Sequence, residues 1–149
     1  MSIRVATKQD LISFCILGRE FSSEADLPYP TSDAKVAGIF EMYVDNPEAL
    51  IILMEDDTSG QVVGGFVGTL HSPMFSEVVI AAELFWYVGK NNRGSKDSTA
   101  MLKLFEEWGA SKGAIESVAS DIQGLLKLEK MYNRLGYTMS EITYTKENI

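Results

Sequence analysis

The chain has 149 residues, 46% of them hydrophobic, and 21 acidic against 13 basic side chains leave a net charge of −8. That length and apolar content predict one domain, residues 1–149, with one sizeable core; the charge disfavours nucleic acid and anionic lipid as partners and favours cations. One cysteine, Cys15, and one histidine, His71, exclude an intramolecular disulfide and a His/Cys zinc site.

No apolar run approaches the ~20 residues of a membrane span; the longest, Ala49 to Met54, is strand-sized. The start Met1-Ser2-Ile3-Arg4 shows no signal peptide. The expectation is a soluble, cytoplasmic, metal-free protein with no membrane partner.

Ile3 to Ala6 alternates as a short strand, and Thr7 before Lys8-Gln9-Asp10 reads as the cap of an amphipathic helix carrying Leu11, Phe14, Cys15, Leu17 and Phe21. Glu24 to Thr31, with Pro28 and Pro30, reads as a loop, after which Ser32 or Asp33 opens a second helix with Val36, Ile39, Phe40 and Tyr43 on its apolar side. Ile51 to Met54 is a buried strand and Val62 to Leu70 its antiparallel neighbour, joined by a turn over Glu55-Asp56-Asp57 and Ser59-Gly60. That acidic cluster lacks the spaced oxygen ligands and closing glutamate of a calcium loop.

Gly64, Gly65 and Gly68 inside the second strand of this pair suggest a bulge or a close backbone approach. His71 follows, at a position where a histidine is more often structural or solvated than catalytic. Ser72 to Ser76 is a loop, and a long strand then runs to Val88. From Ser98 the spacing of Met101, Leu102, Leu104, Phe105 and Trp108 is helical, with Gly113 as the stop. Glu116 to Ala119 reads as a strand, Gly124 to Leu135 as a helix, and Tyr137 to Lys146 as two final short strands.

Between the long strand and the helix from Ser98 lies Arg93-Gly94-Ser95-Lys96-Asp97-Ser98-Thr99. The first N–H groups of a helix have no intrahelical partner and carry the positive end of its dipole, so a basic, glycine-containing turn there suits an anion. Neither the G-x-x-x-x-G-K-[ST] nor the G-x-G-x-x-G spacing occurs. The loop instead resembles the Q/R-x-x-G-x-G/A diphosphate loop of the GNAT N-acetyltransferases. Arg93 fills its first position and Ser98 its last, Gly94 keeps the common Arg-Gly pair, and Lys96 replaces the middle glycine. Glu83, in Ala82-Glu83-Leu84-Phe85-Trp86-Tyr87-Val88, resembles the general base that several GNAT enzymes carry on their central strand. Tyr132-Asn133-Arg134-Leu135-Gly136-Tyr137 is similar to the family's Y-x-x-x-G-F/Y signature. Leu125 stands where an asparagine is common. The style of these segments looks like small bacterial or phage-encoded members.

The resemblance implies an α/β (α+β) GNAT fold, a mixed, mostly antiparallel sheet with helices on both faces. It also implies splaying of the central strand from the next, exposing edges on which the pantetheine arm of acetyl-CoA lies along Trp86, Tyr87 and Val88. The diphosphate would rest on Arg93, Gly94, Ser95, Lys96, Asp97, Ser98 and Thr99. The implied activity is acetyl transfer from acetyl-CoA to a primary amine in a ternary complex. Glu83 would be the general base, its pKa raised by aromatic neighbours such as Phe85, and Tyr132 the general acid. Strand alternation puts Glu83 with Phe85 on one face and Leu84 with Trp86 on the other.

Glu24, Asp26 and Tyr29 lie where the family shapes its acceptor pocket, and would meet a cation by charge and by cation–π contact. The acceptor, small molecule or protein lysine, is left open, and the resemblance leaves room for a homodimer. A second reading is an acidic, non-catalytic interaction protein on the same scaffold, occupying a basic partner surface.

Overall fold

The computed structural model describes residues 1–121 and 127–148. They form two compact units, Met1–Ala119 and Ser120–Ile149.

The first unit is built on a five-stranded sheet in the order β1-β2-β3-β4-β5. Its strands are β1 (Ser2–Val5), β2 (Ala49–Glu55), β3 (Val62–His71), β4 (Val79–Val88) and β5 (Ala114–Val118). The first three pairings are antiparallel and β4–β5 is parallel, as expected of a mixed, mostly antiparallel sheet. β5 begins two residues before and ends one residue before the expected Glu116–Ala119. The helix before it, α3 (Lys96–Ser111), is followed two residues on by Gly113 with φ +87°, and the chain can extend at once.

α1 (Leu11–Ala25) and α2 (Asp33–Tyr43) cover one face. There Phe14, Leu17 and Phe40 bury Ile51, Leu53, Val67 and Tyr87 in one cluster. α3 covers the other, where the Phe105 ring lies 4.8 Å from that of Phe66 and Met101 and Leu102 are fully buried. β2, between two covered faces, is correspondingly apolar without a break from Ala49 to Met54. Helices on both faces are therefore observed.

Local signals explain most element ends. Ser32 caps α2 by accepting the Lys35 N–H at 3.2 Å. The β2–β3 connection is the turn anticipated, and it is held by Asp56, whose Oδ1 accepts from the Thr58 N–H at 2.8 Å. Thr7 precedes a short 3-10 turn, Lys8–Asp10, before α1 begins. Asp10 is buried, and its carboxylate receives two Arg4 N–H bonds and the Thr7 N–H, each at 2.8 Å. Arg4 also reaches Glu55 on β2 at 2.8 Å. α1 persists through Ala25, so the loop expected from Glu24 starts at Asp26, the left-handed C-cap (φ 47°).

In the second unit α4 (Glu129–Arg134) closes in a Schellman motif. The Tyr137 N–H bonds the Tyr132 carbonyl at 2.9 Å, the Gly136 N–H bonds the Asn133 carbonyl at 3.2 Å, and Gly136 has φ +90°. The glycine of the Y-x-x-x-G-Y signature thus has a backbone reason. Gly124 and Leu125, at the start of the expected helix, lie outside the described residues.

The two strands expected over Tyr137 to Lys146 are not formed among the described residues. The apolar spacing slips from two to three between Met139 and Ile142, so Tyr137 and Met139 would face one side and Ile142 and Tyr144 the other. No single apolar face results, and Met139, Ile142 and Tyr144 are exposed.

Candidate active site

The centre of β4 departs from regular alternation. Phe85 pairs with Val67 and Glu83 with Gly68, so Leu84 is an extra residue on β4 facing no partner on β3, a β-bulge. Its side chain is 55% exposed. The bulge resets which side chains share a face. Phe85 and Tyr87 point to α1, their rings 5.3 and 6.0 Å from that of Phe21. Glu83 pairs with Gly68, whose added Cβ would meet the Phe105 ring at 2.6 Å, and Ala81 faces Gly109 of α3. Glu83 therefore lies on the α3 face with Ala81 and Trp86.

The expectation that Glu83 shares a face with Phe85 is thereby corrected. Phe85 packs across the sheet from Glu83 and does not wall its carboxylate. The three β3 glycines were the available signal: Gly68 stands at the bulge because no side chain fits between the sheet and Phe105.

β5 follows β4 only from Val79 to Ala82, and among the described residues no strand continues that ladder beyond Ala82. On the other side the Gly89 N–H bonds the Val63 carbonyl at 2.9 Å. In an antiparallel ladder bonded and non-bonded pairs alternate. Tyr87 and Phe85, two and four residues earlier, accordingly face β3, while Trp86 and Val88 direct their backbone groups to the β5 side. This is the edge on which the resemblance places a pantetheine arm.

The edge runs into the start of α3. A 3-10 turn, Lys90–Asn92, is followed by Arg93, by Gly94 at φ +78° and by Ser95, the N-cap of α3. Lys96, Asp97, Ser98 and Thr99 are the helix's first residues, two earlier than the apolar spacing suggested. The Ser95 and Ser98 hydroxyls lie 3.3 Å apart and the Thr99 hydroxyl donates to the Lys96 carbonyl.

Arg93 is held on three sides. Its Nε donates to the Val88 carbonyl at 2.8 Å, one Nη donates to Glu24 at 2.5 Å, and the guanidinium carbon sits 5.6 Å from the centre of the Tyr87 ring. Glu24, in the last turn of α1, is only 15% exposed. It also has Lys90 at 4.0 Å. The Arg93 hydrogen bond holds the Glu24 carboxyl below its ordinary pKa, and the same bond raises that of Arg93. Burial, then the Glu24 charge, pushes the Tyr87 phenol up. The sequence placed Glu24 in a loop and Arg93 on a ligand, and nothing in their spacing announces that they meet across 69 residues.

Arg19, Glu20, Ser23, Glu24, Tyr87 and Lys90 line an open cleft of about 640 Å³. Of the other residues assigned to the acceptor, Asp26 and Tyr29 are exposed on the α1–α2 loop. His71 is exposed at the end of β3. Tyr132 belongs to the second unit, where its hydroxyl donates to the Ser120 carbonyl at 2.9 Å and its ring lies 5.3 Å from that of Tyr137. No helix among the described residues is long and apolar enough to cross a membrane.

No family model matches the sequence, and no curated protein matches it. Solved structures do. A Trypanosoma brucei acetyltransferase is 20% identical, with a TM-score of 0.75 over 98% of both chains. An aminoglycoside 6'-N-acetyltransferase from Acinetobacter haemolyticus is 17% identical, with a TM-score of 0.75 over 100% of this chain and 99% of that one. The glucosamine-6-phosphate N-acetyltransferase of Arabidopsis thaliana is 14% identical, with a TM-score of 0.78 over 99% and 98%. With a bulged central strand, a partner strand that leaves it halfway, and a basic turn into the following helix, this chain has the GNAT fold of those acetyltransferases.

Proposed function

We propose that the protein is an N-acetyltransferase that moves an acetyl group from acetyl-CoA to a primary amine by direct attack in a ternary complex. The observation that carries the reading is the edge of β4: β5 stops pairing at Ala82, Trp86 and Val88 turn their backbone groups to that side, and the edge leads into the N-terminus of α3. Such an edge can hydrogen-bond an extended amide-bearing chain as a strand would. The helix start, with Lys96 as its first residue, offers N–H groups and positive charge to a diphosphate. In this reading the Trp86 backbone and the Val88 N–H hold the pantetheine arm, Tyr87 between them being paired to β3, and the backbone from Arg93 to Thr99 holds the diphosphate.

Acetyl-CoA supplies an activated thioester. An ammonium has no lone pair, so Glu83, directly or through water, takes its proton before the nitrogen attacks the acetyl carbon. The new C–N bond forms as the C–S bond breaks, and the leaving thiolate takes a proton from Tyr132. Because Arg93 already meets the Glu24 charge, recognition of a cationic amine falls mainly to Asp26 and Tyr29.

The test is the thermal unfolding midpoint with and without acetyl-CoA. Saturation near 100 times the dissociation constant adds about 2.7 kcal/mol, a rise on the order of 5–10 °C. No rise at millimolar acetyl-CoA would overturn the reading. With a responsive amine in hand, Glu83→Gln is expected to slow transfer strongly near neutral pH and less at high pH, where more of the amine is already unprotonated. A rate unchanged at every pH would remove Glu83 from the mechanism.

A further inference from the structure

Arg93 stands where the sequence pattern suggests a diphosphate ligand, yet its side chain is spent within the protein. Three different groups meet it: the Val88 carbonyl accepts from Nε, the Glu24 carboxylate accepts from Nη2, and the guanidinium carbon lies over the Tyr87 ring, 5.6 Å from its centre. A planar guanidinium with donors in a fixed fork is suited to such a bridge, and a lysine is not. The Glu24 side chain is 15% and that of Arg93 32% exposed, so the pair lies at the surface with its acidic end largely covered. It ties together the last turn of α1, the end of β4 and the turn into α3. The Val88 carbonyl is one of the groups that ladder alternation directs to the β5 side, so Arg93 also closes the far end of that edge.

We infer that Arg93 is a positioning residue, with Glu24 as its anchor. The clamp fixes the turn from Gly89 to Ser95 and thereby the direction of the first N–H groups of α3; it does not itself hold the phosphates. This rests on the acetyl-CoA reading only for its consequence, because the clamp is a statement about the protein alone.

The two are separable by experiment. Amide hydrogen exchange on the intact protein reads the clamp without any ligand. Glu24→Ala is expected to speed exchange over residues 89–98 on the order of tenfold and leave β1 and β2 unchanged. Unchanged exchange over 89–98 would overturn the clamp whatever acetyl-CoA does.

Calorimetric titration with acetyl-CoA then reads the consequence, and its sign decides. A positioning clamp predicts that Glu24→Ala and Arg93→Gln each weaken binding by about threefold to tenfold, with Glu24→Gln, which keeps an acceptor oxygen, closer to the parent. If Arg93 were a phosphate ligand restrained by Glu24, Glu24→Ala would instead tighten binding. Affinity unchanged in both variants would also overturn the inference. Failure of the parent protein to bind acetyl-CoA would overturn the function proposed above and leave the exchange result to decide the clamp.

Discussion

Asp10 shows how far a single residue's meaning depends on its neighbours. In the sequence it is one acidic residue behind a capping threonine; in the fold it is buried between Arg4 of β1 and the start of α1, with Arg4 shared by Glu55. Hydrogen bonding to Arg4 overrides the cost of burial and lowers its pKa from 3.8 to about 2. The folded carboxyl is the stronger acid, so its contribution is complete above the unfolded pKa and is lost as pH falls through the folded one. About 2 kcal/mol of stability should therefore disappear between roughly pH 4 and pH 2. Urea midpoints measured against pH should show this slope in the parent and a flatter one in Asp10→Asn. Equal slopes would mean the Arg4 contact does not favour the charged form. Glu83 and Arg93 were both singled out as residue types suited to a chemical task, but the surroundings of each come from strands and helices far away in sequence.

At the scale of elements, the glycines in β3 were a correct signal for an incomplete reason. They announced a bulge or close approach, and both occur together: the extra residue is Leu84, on β4, while Gly68 gives Phe105 its room. Gly68→Ala would put a methyl group 2.6 Å from two atoms of that ring. The expected cost is about 1–3 kcal/mol of overpacking, seen as a midpoint lower by about 3–10 °C. Adding Phe105→Leu should restore part of the loss; if the double variant is worse than either single one, the contact is not the cause. The same bulge explains why alternation misplaced Glu83. Period-two reasoning holds only while each residue has one partner, and one unpaired residue inverts every assignment beyond it.

For the whole molecule, the net charge of −8 belongs to the field that a diffusing partner meets. If the acceptor is cationic, its KM should rise several-fold between about 0.05 and 0.5 M salt while kcat changes little, because screening weakens attraction at a distance more than contacts at the site. A KM insensitive to salt would point to a neutral or zwitterionic amine. Asp26 and Tyr29, proposed to meet the acceptor, are exposed on the α1–α2 loop, whereas Glu24 pairs with Arg93. Charge at long range and charge at the pocket are thus separate determinants of the same preference.

The sequence by itself determined the order and type of the elements through α3, the apolar faces of α1 and α3, the β2–β3 turn and the glycine stop after α3. Each of these depends on interactions within a few residues: periodicity, caps, Asx turns and positive φ. Tertiary structure decided the rest. It placed the bulge at Leu84, turned Glu83 to the α3 face and ended the β4–β5 ladder at Ala82. It joined Glu24 to Arg93 and left Tyr137 to Lys146 without the two strands that its composition suggested. These outcomes depend on pairing and packing between segments tens of residues apart, where register is set by what fits between sheet and helix. Local spacing carries no record of that partner.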